Sequence, residues 1–122
     1  MGAMEDAKSL VGRNLVGIDG GKIGPITAIY VGVKTGKPEW AAVNLGGLLG
    51  AKLAFAPVAQ ISIEGEAAVV AFVKKDVKAA PKPTTEGVIS PAENNRLFAH
   101  YGIDRAQTEP SGSQDAALWL GP

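Results

Sequence analysis

Turn-forming residues interrupt the first two-thirds of this chain about every ten residues, which leaves room only for short structural elements between them. The intervening runs are apolar and rich in β-branched and aromatic residues, a composition that is typical of strands. Six runs are predicted as strands, at residues 14–18, 23–33, 40–45, 52–58, 60–64 and 67–73. Because no turn leaves about a dozen residues for a crossover, the strands are expected to be antiparallel.

The clearest turn is residues 19–22 (Asp-Gly-Gly-Lys), whose residue types tolerate positive φ angles and suit a hairpin. A chain of 122 residues, 46% of them hydrophobic, can bury one modest core. Rolling a single sheet into a barrel buries its apolar face and removes most free strand edges. The sequence therefore predicts an all-β fold with a small α addition: a small closed β-barrel of about six antiparallel strands, plus one C-terminal helix.

That helix has a distinct start signal. Residues 90–93 (Ser-Pro-Ala-Glu) combine a serine N-cap, a proline at the first helical position and a glutamate three residues after the cap. The large apolar residues that follow share one side of a helix: Leu97, Phe98 and Tyr101. Gly102 is suited to end the helix in a left-handed conformation. We expect a helix over about 91–101 that packs this apolar side on the barrel.

Composition divides the chain into four parts. Residues 1–8 are expected to be an N-terminal extension, whose first three residues look like a cloning remnant ahead of a native start at Met4. The barrel is expected over residues 9–81, and residues 82–102 form an extended linker and the capping helix. Residues 103–122 begin with a polar, turn-rich stretch and are expected to be a flexible tail with an apolar end.

Charge and cysteine content disfavour several classes of protein. Twelve Lys and Arg residues balance twelve Asp and Glu residues, so the chain lacks the basic footprint of most nucleic-acid-binding domains. Without cysteine it has no disulfide framework, thiol nucleophile or zinc finger. The sequence contains no run of about 18 apolar residues and no secretory signal, so we expect a cytoplasmic protein without a membrane span.

Three groups of residues resemble parts of catalytic or ligand sites, and each has a simpler structural interpretation. Residues 17–24 are glycine-rich but lack the Lys-Ser/Thr ending and the following helix of a phosphate loop, so a hairpin turn is expected. His100 lies near the end of the predicted helix, where capping or packing explains it. Glu64 and Glu66 flank a glycine at a hairpin tip, where water would surround both carboxylates. We therefore expect no enzyme, no catalytic residues, no cofactor and no metal site.

The apolar end of the chain is one candidate partner-binding segment. Leu118, Trp119 and Leu120 follow a polar stretch, and an exposed Trp beside two Leu residues would be unusual on a monomer. As a docking motif, the segment would anchor these side chains in a groove of another molecule. A strand or half-turn docked back on the barrel, or a cloning boundary, explains the same residues, and the sequence leaves these alternatives open. Trp40 is expected in the core rather than as a surface anchor.

The one concentration of basic residues follows the predicted barrel, where a single helical turn is expected. Its members are Lys74, Lys75, Lys78 and Lys82. A solvated face is the simpler interpretation. The functional one is an acidic partner or a phosphate backbone, with Lys74, Lys75 and Lys78 as the candidate contacts. Aromatic residues that would stack on bases are not interleaved with the cluster, which weakens the case for single-stranded nucleic acid.

Short motifs that follow one another in a specific order resemble those of the PRC-barrel domains. They include residues 10–12 (Leu-Val-Gly), 19–21 (Asp-Gly-Gly), 29–31 (Ile-Tyr-Val), 38–40 (Pro-Glu-Trp), 55–58 (Phe-Ala-Pro-Val), 73–81 and 90–93. The resemblance covers about residues 9–102, and the final helix is similar to that of stand-alone bacterial members. It implies an SH3-like barrel that binds other proteins and has no catalytic residues. The family includes the cytoplasmic part of the photosynthetic reaction-centre H subunit and the C-terminal domain of a ribosome-maturation factor.

Together these patterns predict a non-catalytic protein–protein interaction module, an adaptor or assembly domain. Its expected partner is another protein or a second copy of the chain. The alternative is a ribosome- or RNA-associated assembly or maturation factor that uses the lysine cluster. Nucleic acid is the less expected partner, because the chain carries no net charge.

Overall fold

The computed structural model of the chain describes residues 7–33, 36–46, 52–82, 87–103 and 117–120. Within these residues there are eight strands: β1 (Asn14–Gly17), β2 (Lys22–Gly32), β3 (Pro38–Asn44), β4 (Leu53–Pro57), β5 (Ile61–Glu64), β6 (Ala67–Val70), β7 (Val88–Ile89) and β8 (Ala117–Leu120). The other elements described are the helices α1 (Lys74–Ala79) and α2 (Pro91–His100) and one 3-10 helix (Val58–Gln60). The expected tail is described only at Ile103 and β8, and its polar stretch lies outside the described residues.

The described strands form one sheet in the order β4-β3-β2-β1-β6-β5, with β8 paired to β2 and β7 paired to β8. Hydrogen bonds do not join β4 to β5 within the described residues, because the 3-10 helix carries the chain between them without strand pairing. The β-rich fold is therefore confirmed, but the predicted closure of the barrel is not. The expected count of about six strands is not confirmed either, since β7 and β8 add to the six predicted runs.

β1 and β6 run parallel, with Asn14 opposite Ala67 and Gly17 opposite Val70. The prediction that the strands are all antiparallel is wrong for this pair. A connection between parallel strands needs about a dozen residues, and strands that follow each other directly in this sequence lack one. β1 and β6 do not follow each other: β2, β3, β4 and β5 lie between them and supply the necessary length of chain. The other described strand pairs are antiparallel, as predicted.

Gly24 marks a close approach of two backbones inside the sheet. It lies in β2 opposite Leu15 of β1, next to an irregularity in the β1–β2 register. Its φ angle is +154°, a conformation that side-chain-bearing residues rarely adopt. A Cβ atom at this position would overlap the backbone oxygen of Asn44, the last residue of β3. Glycine is therefore required where β2 passes over the end of β3.

β3 is buried on both of its faces. The alternation of side chains along a strand does not by itself indicate that the second face is covered. Trp40, Ala41, Ala42 and Val43 are all 0% exposed. The Trp40 ring packs against α2, with its centroid 4.9 Å from that of Phe98. The helix thus covers one face of β3, which confirms the expectation that Trp40 lies in the core.

α2 begins and ends as the sequence predicts. The Ser90 hydroxyl accepts a hydrogen bond from the Glu93 N–H (3.1 Å), and the Glu93 carboxylate accepts one from the Ser90 N–H (3.0 Å). At the other end Gly102 has a φ angle of +69°, and the Ile103 N–H donates to the Phe98 carbonyl (2.9 Å). These bonds form a capping box and a Schellman motif, so the helix boundaries follow from local sequence.

The apolar side of α2 is buried against the sheet, in agreement with the expected packing of this side. Its three predicted contact residues are Leu97, Phe98 and Tyr101, with exposed fractions of 0%, 8% and 6%. A fourth buried residue of the helix, Asn94, was not predicted and is also 0% exposed. Its Oδ1 accepts a hydrogen bond from the Trp40 indole Nε1 (2.6 Å), and its Nδ2 donates to the Glu39 carboxylate (3.2 Å). A polar contact therefore joins α2 to β3 inside the core.

Tyr101 makes a second polar contact between α2 and the sheet. Its hydroxyl donates to the backbone oxygen of Phe55 in β4 (2.6 Å). Burial, with the charge of Asp76 as a smaller cause, raises the pKa of Tyr101 above that of a free tyrosine. The folded chain therefore keeps this proton at a pH at which the unfolded chain releases it.

This difference predicts a loss of stability in alkali that depends on Tyr101. The contribution is complete below the unfolded pKa of about 10 and is lost as the pH rises towards the higher folded pKa. We expect this group to lower the free energy of unfolding by up to about 1.4 kcal/mol per pH unit above about pH 10. Tyr101→Phe should remove this pH dependence of the free energy of unfolding. Because it also removes a hydrogen bond, it should lower the free energy of unfolding by about 1 kcal/mol near pH 7. Urea unfolding of both chains between about pH 8 and 11 tests this, and equal slopes would contradict it.

Candidate docking surfaces

An apolar groove of about 440 Å³ lies beside β5. It is lined by Ala7, Leu10, Lys37, Pro38, Val58, Ala59, Ile61 and Ile63. These residues come from the N-terminal turn, the start of β3, the 3-10 helix and β5. Ile63 is 44% exposed in the groove, which makes it an accessible apolar contact. Lys37 is the one charged residue among the lining residues.

Arg13 joins two segments of the chain that lie next to this groove. Its Nε donates to the Ser9 backbone oxygen in the N-terminal turn (2.9 Å). Its Nη1 donates to the backbone oxygen of Gly65 (2.7 Å), in the turn that leads out of β5. Because a guanidinium group has a planar fork of donors, one side chain fixes both segments relative to each other. The sequence gives no signal for this role, since the two partners of Arg13 lie 4 and 52 residues away.

A second apolar surface runs across β2, β8 and β7. Leu118 pairs with Val31 of β2 on one side and with Val88 of β7 on the other. Residues that pair across neighbouring strands share a face, and Leu118 is 44% exposed on it. Its neighbour Ala117 is 0% exposed, so it lies on the opposite, buried face.

The structure thus places the predicted docking segment in a strand. The backbone of Leu118 pairs on both sides, while Trp119 pairs with Tyr30 and Leu120 with Ile29. The side chains of Trp119 and Leu120 lie outside what the structure describes. Of the alternatives that the sequence leaves open, the described backbone corresponds to a strand docked on the sheet. The partner-binding role of these three residues stays a prediction.

The lysine cluster is centred on α1, which forms where one helical turn was expected. Lys75 and Lys78 are exposed, and Lys74 is half-buried at the start of the helix. The Lys82 Nζ donates to the backbone oxygens of Lys78 (3.0 Å) and Ala80 (3.3 Å) at the end of α1. Partial desolvation, with the charge of Lys52 as a smaller cause, lowers the pKa of Lys82. The structure therefore adds Lys52 to the positive surface that the sequence placed between 74 and 82.

A comparison with protein-family models finds a match to the PRC-barrel domain over residues 3–77, which is more than half of the chain. The chain belongs to the PRC-barrel domain family. This confirms the resemblance drawn from the sequence motifs, and the match ends in α1, so that α2 and β8 lie beyond it. A search of curated proteins found no matching relative.

Of the groups considered for catalysis, His100 has a structural partner. The His100 Nε2 lies 2.7 Å from the backbone oxygen of Asp76, and because a carbonyl only accepts, the ring nitrogen donates. His100 therefore links α2 to α1. Glu64 and Glu66 are exposed on either side of Gly65. The hairpin turn predicted at residues 19–22 is confirmed: β1 and β2 pair on either side of it, and the Gly17 N–H donates to the Gly21 oxygen (2.8 Å).

Neither a cluster of metal-binding side chains nor a membrane-spanning helix is found among the described residues. They contain no group of three or more His, Asp or Glu side chains arranged to hold a metal ion. They also contain no helix with the length and apolar character needed to cross a membrane.

Proposed function

We propose that this PRC-barrel domain is a non-catalytic protein-interaction module, an adaptor or assembly domain that receives an apolar segment of its partner. The observation that carries the proposal is the apolar groove beside β5, with Ile63 accessible in it. The proposed setting is the bacterial cytoplasm, for which the support is the sequence and its resemblance to stand-alone members of the family. The partner is another protein or a second copy of this chain.

The groove can supply useful affinity without any chemical step. Burying one Leu- or Ile-sized side chain stabilises a complex by roughly 1.5–3 kcal/mol, which corresponds to about ten- to a hundredfold in affinity. Arg13 bonds to the N-terminal turn and to the turn after β5, two segments next to the lining residues, so less ordering of these segments is needed when a partner binds. Because a pre-formed apolar concavity on a small domain is the kind of surface that receives anchor residues, this arrangement supports protein binding.

Exchanging one exposed isoleucine at a time tests the role of the groove. Ile63→Asp places a charge in the groove, whereas Ile18→Asp makes the same change at a residue that is 63% exposed and does not line it. With the full chain as bait in an extract of its native cell, we expect Ile63→Asp to lower partner capture about tenfold or more. Capture by Ile18→Asp should equal that of the wild type. Retention of the partner by Ile63→Asp would exclude the groove, provided thermal unfolding shows both variants folded.

A ribosome- or RNA-associated assembly or maturation factor is the second candidate. Its support is the exposed lysines of α1 together with Lys82, whose Nζ bonds to the backbone at the end of that helix. Two treatments in the same extract distinguish protein binding from RNA association. One is nuclease digestion of the extract, and the other is charge reversal at Lys74, Lys75 and Lys78. If these lysines contact three phosphates, RNA affinity should fall roughly twenty- to fortyfold between about 50 and 200 mM salt. Capture that survives nuclease and charge reversal favours the protein-binding role.

A further inference from the structure

The turn between β1 and β2 carries the most exposed of the large apolar side chains that the structure describes. Ile18 is 63% exposed, and its neighbours Asp19 and Gly20 are exposed as well. Two backbone hydrogen bonds fix the turn: the Ile18 N–H donates to the Phe72 oxygen (3.0 Å), and the Gly20 N–H donates to the Gly17 oxygen (2.9 Å). The turn, residues 17–22, therefore presents Ile18 to solvent on an ordered backbone, and we call it the Ile18 tip.

The Ile18 tip packs against the start of α1, where the lysine cluster begins. A Cβ atom built on Gly21 would lie 3.1 Å from the Lys74 Cβ and 3.3 Å from the Lys74 Cδ. One built on Gly17 would lie 2.8 Å from the Lys74 backbone nitrogen. Glycine at both positions thus allows the turn to lie directly on Lys74. Because Ile18 follows Gly17 in the chain, Ile18 and the start of the lysine cluster belong to one surface.

The exposed lysines of α1 lie on the same side of the helix as Lys74. Successive residues of an α-helix are about 100° apart, so Lys74, Lys75 and Lys78 fall within an arc of about 100°. The buried residue of the helix, Val77, lies outside this arc. The positive surface of α1 therefore continues from the residue that the Ile18 tip contacts.

The Ile18 tip and α1 together are positively charged. Lys22, next to Gly21, is exposed and adds a fourth lysine. Two acidic residues lie in the same segments, Asp19 and Asp76. The Asp19 carboxylate accepts a hydrogen bond from the Gly21 N–H (3.2 Å), so it is turned back towards its own turn. The surface thus combines one exposed aliphatic side chain with an excess of lysines.

We propose that this surface attaches the domain to an anionic lipid bilayer. Ile18 enters the boundary between the head groups and the acyl chains, and the lysines contact the phosphate groups of anionic lipids. A bilayer takes up a single aliphatic side chain without a shaped pocket, whereas an acidic protein would need one. Single-stranded RNA is bound by aromatic side chains that stack on bases, and the exposed apolar residue here is an isoleucine. The attachment is separate from protein binding in the groove beside β5.

Both parts of the surface are needed for attachment. Burying one aliphatic side chain changes an affinity about ten- to a hundredfold, and each lysine near an anionic surface contributes about fivefold. Peripheral membrane attachment in general needs two such signals, because one alone gives only marginal binding. We therefore expect reversible binding that is sensitive both to Ile18 and to salt.

Sedimentation of the purified full chain with lipid vesicles tests the attachment. The probe is phosphatidylcholine vesicles with about one-third phosphatidylglycerol, and vesicles of phosphatidylcholine alone are the control. We expect the wild type to sediment with the anionic vesicles and to bind the neutral ones at least about tenfold more weakly. Ile18→Asp should weaken binding to the anionic vesicles about tenfold or more. Ile63→Asp makes the same change in the groove and should bind them as the wild type does.

Charge reversal separates lipid attachment from other roles of the lysines. Lys75→Glu combined with Lys78→Glu should weaken binding to the anionic vesicles at least about twentyfold. Absence of wild-type binding to these vesicles overturns the proposal. Binding that charge reversal removes but Ile18→Asp leaves intact also overturns it, because Ile18 would then not enter the bilayer. Nuclease-sensitive retention of RNA without vesicle binding assigns the lysines to RNA and overturns it as well.

A labelled cysteine reports the environment of the Ile18 tip directly, since the chain contains no cysteine of its own. Ile18→Cys and Ile63→Cys each take an environment-sensitive fluorophore in the full chain, and thermal unfolding verifies that both are folded. With anionic vesicles, emission from the label at position 18 should shift to shorter wavelength, and emission from the label at position 63 should not. No shift at position 18, or equal shifts at both positions, overturns the proposal.

The outcomes for the bilayer and for the groove are independent. Loss of partner capture by Ile63→Asp, with no binding of the wild type to vesicles, refutes the bilayer contact alone. Vesicle binding that depends on Ile18, with partner capture retained by Ile63→Asp, refutes the groove alone.

Discussion

Replacing Gly24 with alanine should lower the free energy of unfolding by about 3–5 kcal/mol. Two costs add at this position. The φ angle of +154° strains a residue that carries a Cβ, and the new methyl group would overlap the backbone oxygen of Asn44. A flexible side chain could move aside, but a carbonyl at the end of a paired strand cannot do so without disturbing β3. Since small domains are stable by only about 5–15 kcal/mol, this loss should remove a large part of the stability of the domain.

Gly20→Ala is the matched control for this prediction. Gly20 also has a positive φ angle, +87°, but a Cβ built there meets no atom within 4 Å. The substitution should therefore cost only the conformational strain, about 1–2 kcal/mol. Urea unfolding followed by circular dichroism gives both values. Equal losses for the two variants would show that β2 and Asn44 do not approach each other as closely as the structure has them.

The parts of the fold that the sequence predicted are those specified by neighbouring residues. α2 is the clearest example, because Ser90, Glu93 and Gly102 each act within one turn of the helix. The hairpin at 17–22 is another, since its glycines and aspartate suit a tight turn wherever it occurs. Each of these signals lies within a few residues of the element that it specifies.

Features that depend on residues distant in sequence were predicted wrongly or missed. The parallel pairing of β1 with β6 joins segments that no local pattern relates. β7 has only two residues, too few for a periodicity, and it is a strand because β8 lies beside it. Asn94 has the polarity of a surface residue, and its burial requires Trp40, 54 residues away.

The candidate surfaces also combine features that the local sequence shows with features that depend on residues distant in sequence. The apolar character of residues 118–120 and the lysines of α1 are visible in the sequence, whereas their partner-binding roles stay predictions. The groove is assembled from three separate stretches of the chain, and Arg13, which joins two segments beside it, looks like any exposed cation. Ile63 was expected as part of a strand, but its exposure follows from the position of β5 at the end of the described sheet order.

The contact between Asn94 and Trp40 should be the strongest polar link between α2 and the sheet. Asn94→Ala removes the acceptor of the buried indole N–H as well as the amide that donates to Glu39. An unsatisfied buried donor costs about 1–3 kcal/mol, and the lost volume adds to this, so we expect a loss of about 2–4 kcal/mol. Trp40→Phe should cost about as much, because it opens a cavity and leaves the Asn94 oxygen without the indole.

A double-mutant cycle isolates the contact from these side effects. In the Trp40→Phe chain there is no indole N–H, so Asn94→Ala leaves no buried indole donor unsatisfied. The substitution should therefore lower the free energy of unfolding by less than it does in the wild type. The double variant should therefore lose about 1–3 kcal/mol less than the sum of the single losses, measured by urea unfolding with far-ultraviolet circular dichroism. Additive losses would mean that the hydrogen bond between Asn94 and Trp40 contributes nothing to the packing of α2 on β3. In that case the ring contacts of Trp40 with Phe98 and Tyr101, at 4.9 and 6.0 Å between centroids, would carry the interaction.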